Sequence, residues 1–149
     1  MDAAKIVSKI SKEHGIIKNV YFLACGGSLV DLYPGYYFVR AESAVMDAQW
    51  IPAREFALTP PKKLGKDSLL IICSHSGKTK ECLEAAKVGI NAGAAVVTMT
   101  HAPGSPCDCE EWISVVYDWA PGVKEAQKPQ GIVLGILNEL MKAQEPGYT

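Results

Sequence analysis

The chain has 149 residues, of which 48% are hydrophobic and 21% are charged, and its fifteen basic and sixteen acidic residues leave a formal net charge of −1. This length and composition predict one globular domain that builds its own core. The balanced charge gives no electrostatic basis for binding nucleic acid or an anionic membrane. No apolar run approaches membrane-spanning length, and the N-terminal residues lack the apolar core of a signal peptide.

The five cysteines are an odd number, and several of them lie in apolar or motif segments. This pattern is typical of reduced thiols, so we expect a cytoplasmic protein rather than a disulfide framework. His101, Cys107 and Cys109 fall short of the four ligands and the spacing that structural zinc requires. We therefore expect neither a metal nor a cofactor.

Helical and strand patterns alternate along the chain. Helices are predicted over 2–13, 29–42, 79–92 and 130–142. Strands are predicted over 20–24, 48–52, 69–73, 93–100 and 112–117. Pro34 is expected to kink or restart the second helix. The alternation predicts an α/β fold, a three-layer α/β/α sandwich with a five-stranded parallel sheet of the flavodoxin-like kind.

The loop at 74–79 joins the apolar third strand to the helix that follows it. It carries three hydroxyls and a glycine, at Ser74, Ser76, Thr79 and Gly77. Free N–H groups and the helix dipole favour an anion at such a place, and hydroxyls add donors without adding charge. A helix cap alone would need only one hydroxyl. The loop therefore predicts a site for a phosphate monoester.

Two other loop types do not fit this stretch. A nucleotide-binding P-loop needs a glycine where Ile72 stands. A thiol phosphatase needs an arginine where Thr79 stands, because the phosphate dianion would otherwise lack its bidentate partner. Cys73 lies at the end of the apolar strand and is interpreted as a core residue.

A second glycine and hydroxyl turn follows the first strand, at Gly26, Gly27 and Ser28. Two such turns on neighbouring parallel strands face the same edge of the sheet, where open α/β sheets bind their ligands. Glu55 follows the second strand. It is interpreted either as an ordinary surface residue paired with Arg54 or as a group that reaches the ligand of a neighbouring subunit.

The helix predicted over 130–142 is apolar on nearly every face. A helix on the surface of a monomer would show a polar face. We therefore expect it to be buried on two sides, against its own sheet and against a second copy of the chain, and we expect a homodimer.

Residues 22–28 and 74–81 together resemble the signature of the sugar isomerase (SIS) phosphosugar-binding domains. That signature is S-x-S-G-x-T-x-E after the third strand and G-x-S after the first. The resemblance covers residues 20 to about 142 and is closest to the fructosamine-6-phosphate (fructoselysine-6-phosphate) deglycases. Those enzymes split a 6-phosphorylated sugar–amine into glucose 6-phosphate and the free amine.

The resemblance implies a set of ligand contacts. Phosphate ligands are implied at Ser28, Ser74, Ser76 and Thr79. Sugar contacts are implied from Gly26, Gly27 and Glu125, and His75 and Gly77 belong to the same predicted site. The ligand implied is a sugar 6-phosphate.

One departure from the family pattern concerns catalysis. The deglycases are similar to a tandem of two SIS domains, and their acid and base groups lie in the second, in a motif like E-x-x-H-G-P that this sequence lacks. Residues 1–149 therefore resemble a single SIS domain, either the first of two or a single-domain relative. The acid/base candidates here are Glu55, His75 and Glu125. The chain is interpreted as a domain of a deglycase or sugar-phosphate isomerase, with a non-catalytic phosphosugar sensor as the alternative.

Overall fold

The computed structural model describes residues 2–124 and 127–148. In chain order the elements are α1 Ala3–His14, β1 Asn19–Ala24, α2 Gly27–Glu42, β2 Asp47–Pro52, α3 Ala53–Leu58, β3 Ser68–Cys73, α4 Lys80–Asn91, β4 Ala95–Thr100, β5 Ile113–Val116 and α5 Pro129–Gln144. The five strands form one parallel sheet in the order β2-β1-β3-β4-β5. The predicted α/β class and five-stranded parallel sheet are confirmed.

Each face of the sheet carries its own core. Phe22 and Ile71 point to one face, where they pack with α1, α2 and α5. Leu23 and Ile72 point to the other, where they pack with α3 and α4. Successive strand residues face opposite sides, so a strand covered on both faces must be apolar throughout. This is why β1 and β3 carry nearly continuous apolar runs.

Two local features differ from the sequence prediction. The short helix α3 was not predicted, because its six residues offer less than two turns of pattern. Of the two effects expected at Pro34, the restart is wrong, since α2 continues through the proline as one helix, and the kink stays a prediction. Gly35 beside it lets α2 approach the core closely: a Cβ there would lie 2.5 Å from Val133 Cγ1 and 3.0 Å from Phe22 Cε1.

The covering of α5 also differs from the expectation. Leu137 and Met141 are fully buried in the core cluster that also holds residues of α1 and α2, and both of those helices contact α5. The second side of α5 is therefore covered largely by the same chain. The premise that only another copy can cover it is wrong.

Within the described residues, no helix combines the length and the apolar character needed to cross a membrane.

Candidate functional site

The two predicted loops meet at one edge of the sheet. β1 and β3 are neighbours, with Ala24 paired to Cys73, so the turn at 25–28 and the loop at 74–79 leave the sheet side by side. β2 lies on the other side of β1, which makes the gap between β1 and β3 the point where the strand order reverses. In open α/β sheets ligands bind at this switch point.

The loop at 74–79 is held by its own hydroxyls. Ser74 Oγ lies 2.8 Å from Thr79 Oγ1 and accepts a hydrogen bond from the Gly77 N–H at 3.1 Å. Ser76 Oγ accepts from the Lys78 N–H at 3.2 Å. Ser74 is buried, whereas Ser76 is exposed at the edge. Ser74 therefore braces the loop, and Ser76 presents its hydroxyl outward.

The N-termini of α2 and α4 open onto this edge without a side-chain cap. Thr79 occupies the N-cap position of α4, but its side chain makes no capping hydrogen bond. Gly26 occupies the N-cap of α2, which also lacks a side-chain cap. The first N–H groups of a helix have no partner inside it. The Thr79 side chain therefore does not cap α4, and both N-termini retain donors for an anion.

Gly77 is required at its position for two reasons. Its φ is +71°, in the left-handed region, and a Cβ would overlap Ser105 Oγ and lie 2.8 Å from Thr100 Oγ1. The Gly77 carbonyl accepts a hydrogen bond from the Cys107 N–H at 3.0 Å. The segment that follows β4 therefore packs against the loop at 74–79. The sequence pattern did not indicate this contact.

Cys73 is a core thiol beside the site. It is fully buried, and burial raises the pKa of its thiol to about 12, although hydrogen bonds with Tyr117 and Ser28 act in the opposite direction. A neutral thiol is a poor nucleophile. The interpretation of Cys73 as a core residue agrees with this.

His75 lies in a cluster of rings that the sequence analysis did not assemble. Its Nδ1 is 2.8 Å from the Tyr117 hydroxyl, and its ring stacks on His101 with centroids 5.0 Å apart. Trp119 meets the His75 ring edge-on at 5.4 Å. Tyr117 is buried, and that burial raises the pKa of its phenol. A neutral phenol therefore orients the imidazole of His75.

Asp31 is a second residue that sequence reasoning missed. It lies three positions after Ser28 on α2, so the two share a helix face. Gln130 Nε2 donates a hydrogen bond to Asp31 Oδ1 at 3.2 Å. Burial raises the pKa of the Asp31 carboxyl, while its electrostatic interaction with His75 lowers that pKa. The spacing from Ser28 was the available signal, but nothing in the sequence indicated the partner on α5.

The other catalytic candidates are less central. Glu55 lies exposed in the first turn of α3. This helix follows β2 at the same sheet edge but on the far side of β1 from β3. Glu125 lies outside the described residues. Among the residues described, no group of three His, Cys, Asp or Glu side chains is placed to hold a metal ion.

No family model matches the chain. It is 36% identical over 121 residues to the fructosamine deglycase FrlB of Bacillus subtilis (strain 168), an alignment that spans 81% of this chain and 37% of the deglycase. A phosphosugar isomerase structure from Salmonella typhimurium LT2 superposes with a TM-score of 0.91 at 34% identity, over 97% of this chain and 44% of that one.

A second solved structure shares the fold at lower identity. The Vibrio vulnificus NanR protein, complexed with ManNAc-6P, has a TM-score of 0.65 at 22% identity and matches 97% of this chain and 56% of that one. The chain thus spans less than half the length of the first two relatives.

Proposed function

The chain belongs to the phosphosugar isomerase (SIS) family, and we propose that it binds a sugar 6-phosphate with the phosphate between the turn at 25–28 and the loop at 74–79. The observation that carries this proposal is the meeting of two helix N-termini without side-chain caps at the switch point of the sheet. Each N-terminus offers backbone donors to an anion, and their dipoles both favour negative charge there.

The hydroxyls complete the phosphate site without adding charge. Ser76 and Ser28 lie exposed or half-buried at the edge, where they can donate to phosphate oxygens. Thr79 Oγ1 shares a hydrogen bond with Ser74 Oγ, so Ser74 orders the site from below. The glycines at 26, 27 and 77 let the backbone approach the ligand closely. Sugar contacts from Glu125 remain a prediction.

We propose further that this domain works within a deglycase or aldose–ketose isomerase type of enzyme. The similarity to a fructosamine deglycase supports the chemistry of a phosphorylated sugar–amine. His75 is the acid/base candidate that the fold supports best, because Tyr117 orients its imidazole beside the phosphate loop. A general acid or base must lie about 2.6–3.2 Å from the proton it transfers.

Calorimetry with a matched pair of ligands tests the binding. Glucose 6-phosphate should bind and glucose should not, because only the former carries the dianion that the two N-termini attract. Ser76→Ala should weaken binding by about 1.5–3 kcal/mol, the contribution of a hydrogen bond to a charged group. Ser8→Ala, on the exposed side of α1, is the control and should bind as the parent does. Equal binding of the two sugars would contradict the phosphate site.

We also propose a homodimer that forms through the outer face of α2. Tyr33 and Tyr37, 42% and 60% exposed, lie four residues apart and so share a face. With Phe38 and Leu134 they line a surface groove of about 400 Å³. Exposed aromatic patches of this kind are typical of protein interfaces, and a second copy of the chain is the proposed occupant.

All five cysteines are free thiols. Free thiols suit a reducing compartment, which supports the cytoplasmic location that we propose.

A further inference from the structure

A second set of polar and aromatic groups lies beside the proposed phosphate site. Asp31 is on α2, one helical turn after Ser28, and accepts a hydrogen bond from Gln130 Nε2 at 3.2 Å. Gln130 and Trp119 line one open cavity of about 410 Å³. Trp119 also contacts the His75 ring, which places this cavity next to the loop at 74–79.

The amide of Gln130 has an unused acceptor. Asp31 can only accept when ionised, so the atom that faces it is the amide nitrogen and the carbonyl oxygen points elsewhere. That oxygen, Gln130 Oε1, is buried and accepts no hydrogen bond from any residue that the structure describes. A buried acceptor without a donor is unfavourable. A ligand that brings an N–H or O–H donor here would remove that penalty.

The charge and the rings favour one kind of donor. The carboxylate of Asp31 attracts a cation, and the half-exposed side chain of Trp119 is of the aromatic type that binds ammonium groups. Lys128 lines the same cavity, and its charge opposes a cation there. A preference for a cationic ligand group therefore depends on Asp31 and the Gln130 carbonyl rather than on the cavity as a whole.

We infer that Asp31, held in place by Gln130, is a specificity-determining residue that selects sugar phosphates carrying a protonated amine over those carrying hydroxyls alone. This inference rests on the proposed binding of a sugar 6-phosphate. The phosphate anchors the ligand between the two loops, and Asp31 with Gln130 Oε1 receives the amine.

Calorimetry with glucosamine 6-phosphate and glucose 6-phosphate at neutral pH tests this inference on the full chain. The two probes differ only in an amine in place of a hydroxyl. Glucosamine 6-phosphate should bind about tenfold more tightly, the lower end expected for a hydrogen bond to a charged group. The measured quantity is the ratio of the two dissociation constants, which a general loss of packing would leave unchanged.

Asp31→Asn should bring that ratio close to one, because the amide keeps the shape of the side chain and removes its charge. Gln130→Leu, which removes both the hydrogen bond to Asp31 and the free acceptor, should also reduce the ratio. The matched control is Asp47→Asn, which makes the same charge change on an exposed carboxylate at the amino-terminal end of β2; it should keep the tenfold ratio.

The outcomes separate this inference from the function on which it rests. Equal binding of the two probes by the parent chain, or a tenfold ratio that persists in Asp31→Asn, would overturn the role of Asp31 and leave the phosphate site standing. Binding of neither probe would overturn both.

Discussion

At the scale of single residues, the loop at 74–79 depends on how closely Gly77 approaches its neighbours. Gly77→Ala should lower the stability for two reasons. An alanine at this φ is unfavourable by about 1–2 kcal/mol, and its Cβ would displace Ser105. Gly104 has a similar φ of +75° but open space around it. Thermal denaturation should therefore show a larger drop in Tm for Gly77→Ala than for Gly104→Ala, and equal drops would contradict the close approach.

At the scale of one element, α5 has an inner and an outer face that respond differently to charge. Leu137 is fully buried, and an unpaired charge at that site is unfavourable by several kcal/mol, a large part of the stability of a small domain. Leu137→Lys should therefore abolish cooperative unfolding measured by circular dichroism. Leu134→Lys, on the same helix but lining the surface groove, should keep it. If the two variants unfold alike, the assignment of Leu137 to the inner face and Leu134 to the outer face of α5 is contradicted.

At the scale of the whole molecule, the outer face of α2 is the proposed dimer interface. Light scattering at micromolar concentration should give the mass of a dimer, and Tyr37→Asp should give that of a monomer, because a carboxylate would be buried in the interface. Leu58 is 71% exposed on α3, on the other side of the sheet, so Leu58→Asp should remain dimeric. A parent chain that scatters as a monomer would refute the proposed interface.

A further prediction at this scale concerns catalysis by residues 1–149. Residues 1–149 alone should release no appreciable glucose 6-phosphate from a fructosamine 6-phosphate, in an assay coupled to glucose-6-phosphate dehydrogenase. His75 is the acid/base candidate placed at the site, whereas Glu55 lies exposed beyond β1, and the reaction needs proton transfers at more than one atom. Robust turnover that His75→Gln abolishes would contradict this expectation and assign the chemistry to this domain.

The local sequence pattern was enough to predict those features of the protein that depend only on residues close together in the chain. The uncharged run of β3 is typical of a strand covered on both faces, and the structure places it as one. The hydroxyls and glycines after β1 and β3 indicated an anion site because strand ends and helix starts are local features. The strand and helix alternation limited the fold to a parallel sheet, which the structure confirms, and the motifs identified the SIS family correctly.

Only the tertiary structure decided what distant segments do to one another. Tyr117 meets His75 across 42 residues, and Gln130 meets Asp31 across 99. Neither pairing leaves a periodic signal, because a hydrogen bond between remote side chains depends on strand order and helix packing. The same holds for α5, whose apolar outer side suggested a partner chain until the packing of α1 and α2 against it covered most of that side. Periodicity shows that a face is buried, but the element that buries it is chosen by the connectivity of the fold.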